Sequence, residues 1–172
     1  MKIKNPNEEE VMEFLEHSNF IEDERSAHAL TYAKRAWDYA LRNIDKINLN
    51  YILDIHKILM IQLRPDIAGK LRNCDVYIGG YCKYFTSEAL LKEQLNEWIS
   101  NSGKSVCYQV DVEKANNREH VEFENIHPFE DGNGRVGRIL YNIHRLKLGL
   151  PIHIIHEGEE QIEYYSWFTN NK

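Results

Sequence analysis

The stretch Ile126-His127-Pro128-Phe129-Glu130-Asp131-Gly132-Asn133-Gly134-Arg135-Val136-Gly137-Arg138 decides how this 172-residue sequence is read. Upstream, Val112 to Phe123 reads as a helix. Downstream, Ile139, Leu140, Ile143, Leu146 and Leu150 recur at helical spacing until Gly149 and Pro151 stop them. The stretch is therefore a loop feeding a helix N-terminus, where unpaired backbone N–H groups and the positive end of the helix dipole favour an anion. Gly132 and Gly134 permit close backbone approach to a ligand. Arg135 and Arg138 share a face of the first turns with Asn142, and two guanidiniums beside glycines suit a polyphosphate better than a single carboxylate. Asp131 adds a hard oxygen of the kind Mg²⁺ takes together with phosphate oxygens and water. His127 supplies a group that exchanges a proton near neutral pH. Base, metal carboxylate and phosphate cradle within twelve residues make a site for moving a phosphorus group onto a hydroxyl.

Other readings of these residues are weaker. Asp131 to Gly134 alone would be a surface turn. The run begins like a calcium loop, but Arg135 stands where an oxygen ligand belongs. His120, Glu124 and His127 lack the H-E-x-x-H spacing of a helical zinc pair.

Outward from the loop the pattern stays helical. Asn7 and Glu10 read as a helix start ahead of Val11, Phe14 and Leu15. Leu30, Ala33, Trp37, Ala40, Leu41 and Ile44 form the clearest amphipathic stripe. A third helix starts at Asn48 or Asn50, carries Leu53, Ile55, Leu59 and Leu63, and stops at Arg64-Pro65. Ser87 caps a fourth, with Leu91, Leu95, Trp98 and Ile99 inward. One segment differs: Asp75 to Ile78 and Tyr81 to Phe85 are β-prone runs around Gly79-Gly80, a hairpin signal. An isolated two-stranded ribbon cannot be a core sheet, so it is decoration or a surface for docking an extended peptide. The fold class expected is all-α with one small hairpin.

Composition bounds the partners. Hydrophobic residues at 42% and charged residues at 28% exclude wholesale disorder. A net charge of -6 and a pI near 5.8 argue against nucleic acid as the main partner. No run of eighteen apolar residues exists, so no membrane span and no secretory leader are expected. Cys74, Cys82 and Cys107 are odd in number and form no C-x-x-C. They read as small buried hydrophobes in a reduced, cytoplasmic setting.

The run from His127 to Arg138 resembles the signature of Fic-domain proteins, H-P-F-x-D-G-N-G-R-x-x-R, at all nine specified positions. Gly69-Lys70-Leu71-Arg72 and the following hairpin resemble the family's active-site flap, and Asn142, Gly149 and Pro151 also match. The resemblance implies a mainly helical Fic fold and transfer of AMP from ATP to a Ser, Thr or Tyr hydroxyl of a target protein. It implies that His127 is the base and that Asp131 holds Mg²⁺. Gly132, Asn133 and Gly134 would form the anion hole, with Arg135 and Arg138 on the outer phosphates. Val76, Tyr77, Ile78 and Gly79 would clamp the target segment, and Tyr164 or Tyr165 would lie near adenine. Association into a homo-oligomer is also consistent with the family.

Ser18-Asn19-Phe20-Ile21-Glu22-Asp23 resembles the family's inhibitory motif, [ST]-x-x-x-E-[GN], with Asp23 as the departure. The resemblance implies that Ser18 and Glu22 belong to an inhibitory segment, residues 1–24 ahead of a Fic domain at 25–172, and that Glu22 pairs with Arg138. Phosphate transfer of the Doc type is disfavoured, because that motif carries Lys where Gly134 stands. AMP removal, transfer of another phosphorus-containing group, and nucleotide binding without turnover are the alternatives.

Overall fold

The computed structural model describes residues 6–78, 81–102 and 111–169. Among them seven helices run in order: α1 (Glu8–Phe20), α2 (Ala27–Arg42), α3 (Leu49–Met60), α4 (Glu88–Asn101), α5 (Val112–Ile126), α6 (Asn133–Lys147) and α7 (Glu159–Thr169). Strands β1 (Val76–Ile78) and β2 (Tyr81–Lys83) form the antiparallel hairpin between α3 and α4, pairing Val76 with Lys83 and Tyr77 with Cys82. The helical class and the single hairpin agree with the sequence pattern.

Side-chain oxygens set most helix starts. Asn7, Ser26, Asn48, Ser87 and Asp111 each accept a backbone N–H of the first turn, which chooses Asn48 over Asn50 for α3. Helix α3 ends at Met60, before Leu63, because the chain already turns there to reach Pro65. Helix α7 has no counterpart in the sequence pattern. Its eleven residues bury only Tyr164, so no apolar stripe announces it.

Helix α6 is the axis of the domain. It contacts α1, α2, α3 and α5, and thirteen of its residues, Asn133 and the run from Arg135 to Leu146 among them, are buried. Val11, Phe14 and Leu15 of α1 share one core with Trp37, Ile55, Leu59, Phe123, Phe129, Val136 and Ile143. Residues 6–24 therefore pack as part of the same core as the rest of the domain. Trp37 is 1% exposed and meets Phe14 edge to face at 5.5 Å; burying such a ring contributes roughly 1.5–3 kcal/mol. Cys74 and Cys82 are free and only half-buried, which departs from the expected core placement; Cys107 lies outside the described residues. No described helix is long and apolar enough to cross a membrane.

Candidate active site at the start of helix α6

Pro128 denies its predecessor right-handed helical geometry, so α5 ends at Ile126 with His127 as its cap. The residue takes φ 50°, ψ 62°, a left-handed conformation that histidine tolerates better than most side chains. The loop after it is pinned at both ends. The Asn133 side chain accepts from the Phe129 N–H and donates back to the Phe129 carbonyl, each at 2.9 Å. The Phe129 ring stacks on His56 of α3, with centroids 3.8 Å apart. The Gly69 N–H donates to His56 Nδ1 at 2.9 Å, so the proton sits on Nε2 and goes to the Asp131 carbonyl at 3.0 Å. Burial depresses the His56 pKa to about 4, which keeps that tautomer neutral.

Gly132 caps α6 at φ 81° with no side-chain hydrogen bond, and a Cβ there would meet Met60 Sδ at 2.9 Å. The first N–H groups of α6 thus open toward the loop. Asp131 Oδ1 accepts from the Gly132 N–H at 2.6 Å and lies 3.6 Å from Arg135 Nη2. The carboxylate is nearly half exposed, as a group meant for a hydrated ion would be. Arg135 is only 5% exposed, and its Nε and Nη1 are buried without a hydrogen-bond partner. Two orphaned cationic donors at a helix N-terminus ask for an anion.

Arg138 is fully partnered. Its Nε donates to Ser18 Oγ at 2.9 Å, and Nη2 donates to the Ser18 carbonyl at 2.9 Å and to Glu22 Oε1 at 2.6 Å. Burial alone would raise the Glu22 pKa, but Arg138, with Arg135 beyond it, outweighs burial and holds that carboxyl below its ordinary value. A methyl on Gly134 would collide with this carboxylate, so Glu22 projects over the cradle itself. Glu124 lies on the far side, beneath Gly137. Burial pushes its carboxyl up to about 8 against the pull of Arg138, so it is neutral at pH 7. Its neutrality leaves Glu22 as the ionised carboxylate bonded to Arg138.

The backbone explains the Asp23 departure. The Asp23 and Glu24 N–H groups bond to the Phe20 and Asn19 carbonyls, the pattern that closes a helix with a left-handed residue. Asp23 is that residue, at φ 56°, where Gly and Asn fit best and Asp is the next tolerated choice. Glu22, just before it, is thereby aimed by the helix terminus.

The His127 ring sits beside the cradle, half-buried, with Nδ1 3.3 Å from the Glu124 carbonyl. A proton shared there leaves Nε2 free to accept. Burial lowers its pKa to about 4, opposed by that carbonyl and helped by Lys83 and Arg72, so the imidazole is neutral at physiological pH. Arg72, legible in the sequence only through the resemblance of the segment around it, ties the hairpin to His127. Buried at 2% exposure, it donates to the carbonyls of His127, Cys74 and Tyr84 and to Thr86 Oγ1. Its own N–H holds the Pro128 carbonyl at 2.9 Å. On the hairpin, Val76 is buried and Tyr77 is 72% exposed; Gly79 lies outside the described residues.

Tyr164 differs from expectation. It is 3% exposed, and its hydroxyl bridges His120 Nε2 at 2.9 Å and Arg138 Nη1 at 3.5 Å, so it braces Arg138 from inside and offers no open face to a base. Asn142 likewise holds the His153 backbone through both its amide groups. His56, His120 and Glu124 also border the site, His120 and Glu124 without the zinc spacing weighed above. No sequence signal marks them, because only the packing of α3 and α5 against α6 brings them to the loop.

The sequence profile of the Fic/DOC family matches residues 46–144. Protein adenylyltransferase Fic of Drosophila grimshawi is 30% identical over 121 residues, which are 70% of this chain and 24% of that protein. The Drosophila erecta protein of the same name is 31% identical over the same shares. The chain thus spans about a quarter of the length of these relatives. A Fic-1 fragment from C. elegans superposes with a TM-score of 0.73 at 23% identity, covering 95% of this chain and 56% of the fragment. A Fic domain containing signaling protein from Bacteroides thetaiotaomicron gives 0.73 at 18% identity, covering 96% and 73%. These two likenesses concern the fold.

Proposed function

The chain belongs to the Fic/DOC family, and we propose that it transfers AMP from ATP to a hydroxyl of a target protein and is held in check by its own first helix. The observation that carries this reading is the pair of unequal arginines. Arg135 keeps two buried nitrogens without a partner, whereas every nitrogen of Arg138 is taken by Ser18, Glu22 or Tyr164. A polyphosphate would supply what Arg135 lacks, but Glu22 must leave before Arg138 can take its share. The relatives' name, adenylyltransferase, is consistent with this assignment.

In the reaction, neutral His127 accepts the proton of a Ser, Thr or Tyr hydroxyl at Nε2. The oxygen attacks the α-phosphorus, the bond from that phosphorus to the oxygen bridging to the β-phosphate breaks, and pyrophosphate departs. The open N–H groups at the start of α6 and the guanidiniums stabilise the charge that develops on phosphoryl oxygens. Asp131, half exposed beside the cradle, fits a Mg²⁺ ion, which would neutralise phosphate charge when bound. Base catalysis of this kind contributes about 10²–10⁴-fold. The exposed edge of the hairpin, near His127 through Arg72 and Lys83, would dock an extended target segment. A reduced cytoplasmic compartment is proposed from the free thiols alone.

Incubation with α-labelled and, separately, γ-labelled ATP tests the assignment, using Glu22→Gly protein with and without His127→Ala. Protein label from the α position that His127→Ala abolishes is the expected result. Label only from the γ position would make the chain a kinase and refute the reading.

A further inference from the structure

Helix α1 and the entry to α7 meet at a cluster that the chemistry above does not use. Glu13 and His17 stand one helical turn apart on α1, and His156 and Glu160 bracket the start of α7. A carboxylate oxygen of Glu13 and one ring nitrogen each of His17 and His156 all lie within 4.8 Å of one another. His156 Nε2 is 3.1 Å from Glu13 Oε1, and the two imidazoles meet at 4.5 Å between centroids. Nδ1 of His17 is shut off from solvent and has no hydrogen-bond partner. His156 Nδ1 lies 2.6 Å from Glu160 Oε2, which also accepts the His156 backbone N–H at 3.0 Å.

We propose that Glu13, His17 and His156 bind a divalent zinc-type transition metal ion that staples α1 to α7. Two imidazoles and one carboxylate are the donor set of open zinc sites, with a fourth position for water. Bonds of about 2.0–2.1 Å in a tetrahedron hold ligand atoms roughly 3.3 Å apart. The His156–Glu13 pair already has that spacing. Small rotations of the Glu13 and His156 side chains, each about half exposed, would close the remaining distance to His17. Glu160 plays the supporting part common to metal-bound histidines: a carboxylate on the other ring nitrogen fixes the tautomer and turns the Nε2 lone pair toward the site. A carboxylate–imidazolium contact would account for His156, Glu13 and Glu160. It would leave the His17 ring, whose nitrogen also lies within 4.8 Å of the Glu13 and His156 ligand atoms, without a part, which a bound ion gives it.

The consequence follows from position. His17 precedes Ser18, whose hydroxyl and carbonyl hold Arg138, and α7 carries Tyr164, which touches Arg138 from the other side. An ion that binds only when α1 is docked favours that docked state by mass action. Its inhibitory effect rests on the reading of Glu22 given above; the site and the staple do not.

The test uses metal-free full chain and Zn²⁺, read by competition with a chromophoric chelator and by hydrogen exchange, neither of which depends on AMP transfer. The expected result is one ion per chain, with affinity in His156→Ala and in Glu13→Gln reduced by at least the roughly 10–100-fold that loss of a supporting partner costs, at unchanged helical circular dichroism. Bound Co²⁺ should give the intense visible bands of a tetrahedral ion in the original protein and lose them in both variants. Zn²⁺ should slow amide exchange across α1 in the original protein and leave His156→Ala unaffected. Equal zinc affinity in the variants would overturn the site, and unchanged α1 exchange in zinc-loaded protein would overturn the staple. Loss of α-label on adding Zn²⁺, absent in His156→Ala, is expected if Glu22 inhibits; zinc-stapled protein that labels undiminished would refute that link alone.

Discussion

Replacing Glu22 by Gln changes one charge and almost no volume at the contact with Arg138. The bond it weakens is charge-assisted, 2.6 Å long, and made to a guanidinium that is 2% exposed. Such a bond contributes about 1.5–3 kcal/mol. The Glu22 side chain is 34% exposed, so solvent screening places the loss in the lower half of that range. The two bonds from Arg138 to Ser18 survive, which keeps the guanidinium from being orphaned. In a domain of this size each kcal/mol moves Tm by roughly 2–4 °C, so a fall of about 3–9 °C is expected. The same free energy sets the competition with phosphate. At about 1.4 kcal/mol per factor of ten, the population able to seat the outer phosphates rises about 10–40-fold. Initial rates of His127-dependent α-label incorporation, compared at one subsaturating ATP concentration, measure it. A Tm that falls while labelling stays at the original level would refute the argument, since the bond would then be structural and the cradle already open.

Asp23→Gly relieves a left-handed side chain at φ 56°, a strain of about 1–2 kcal/mol. It should raise Tm by several degrees in a thermal melt and further lower basal labelling, because α1 closes more firmly. Arg72→Lys keeps the charge but loses the fork that bridges His127, Cys74, Tyr84 and Thr86; labelling at saturating ATP should fall at least about tenfold, with a stability loss of about 3 kcal/mol by urea titration. His56, His120 and His127 have folded pKa values near 4, 3 and 4, depressed by burial below an unfolded 6.5. Their contribution is complete above pH 6.5 and drains away as pH falls toward 4, by up to about 1.4 kcal/mol per pH unit for each ring, which urea titrations at stepped pH would show. Glu124 has the opposite sign. Its folded pKa of about 8 lies above an unfolded 4.5, so stability drains as pH rises between them. Glu124→Gln should therefore gain stability over the original protein at pH 8 more than at pH 5, measured the same way.

How much was legible differs by element. Helices with an apolar stripe and a capping side chain, such as α2 with Trp37 and α4 behind Ser87, were readable because both signals are local. The hairpin was readable from its glycine pair and β-prone flanks. Helix α7 was not, because its single buried residue, Tyr164, gives no period, and its place is set by contact with α5. The inward turn of Tyr164 has the same root: the family pattern supplies Tyr164 or Tyr165, and only packing leaves the first 3% and the second 47% exposed.

The linear order of residues determined the loop from His127 to Arg138, its helix-start chemistry and the cations flanking it, because those groups lie within one turn and one helix of each other. It also carried the Ser18–Glu22 spacing. Tertiary structure left Arg135 wanting and brought Ser18 and Glu22 to Arg138 across more than a hundred residues, a pairing the family resemblance implied but no local spacing encodes. The same holds for the proton states. His127 and Glu124 take their charge from burial among α3, α5, α6 and the hairpin, and the free energy of removing a group from water is a property of its surroundings in space, which sequence spacing does not encode.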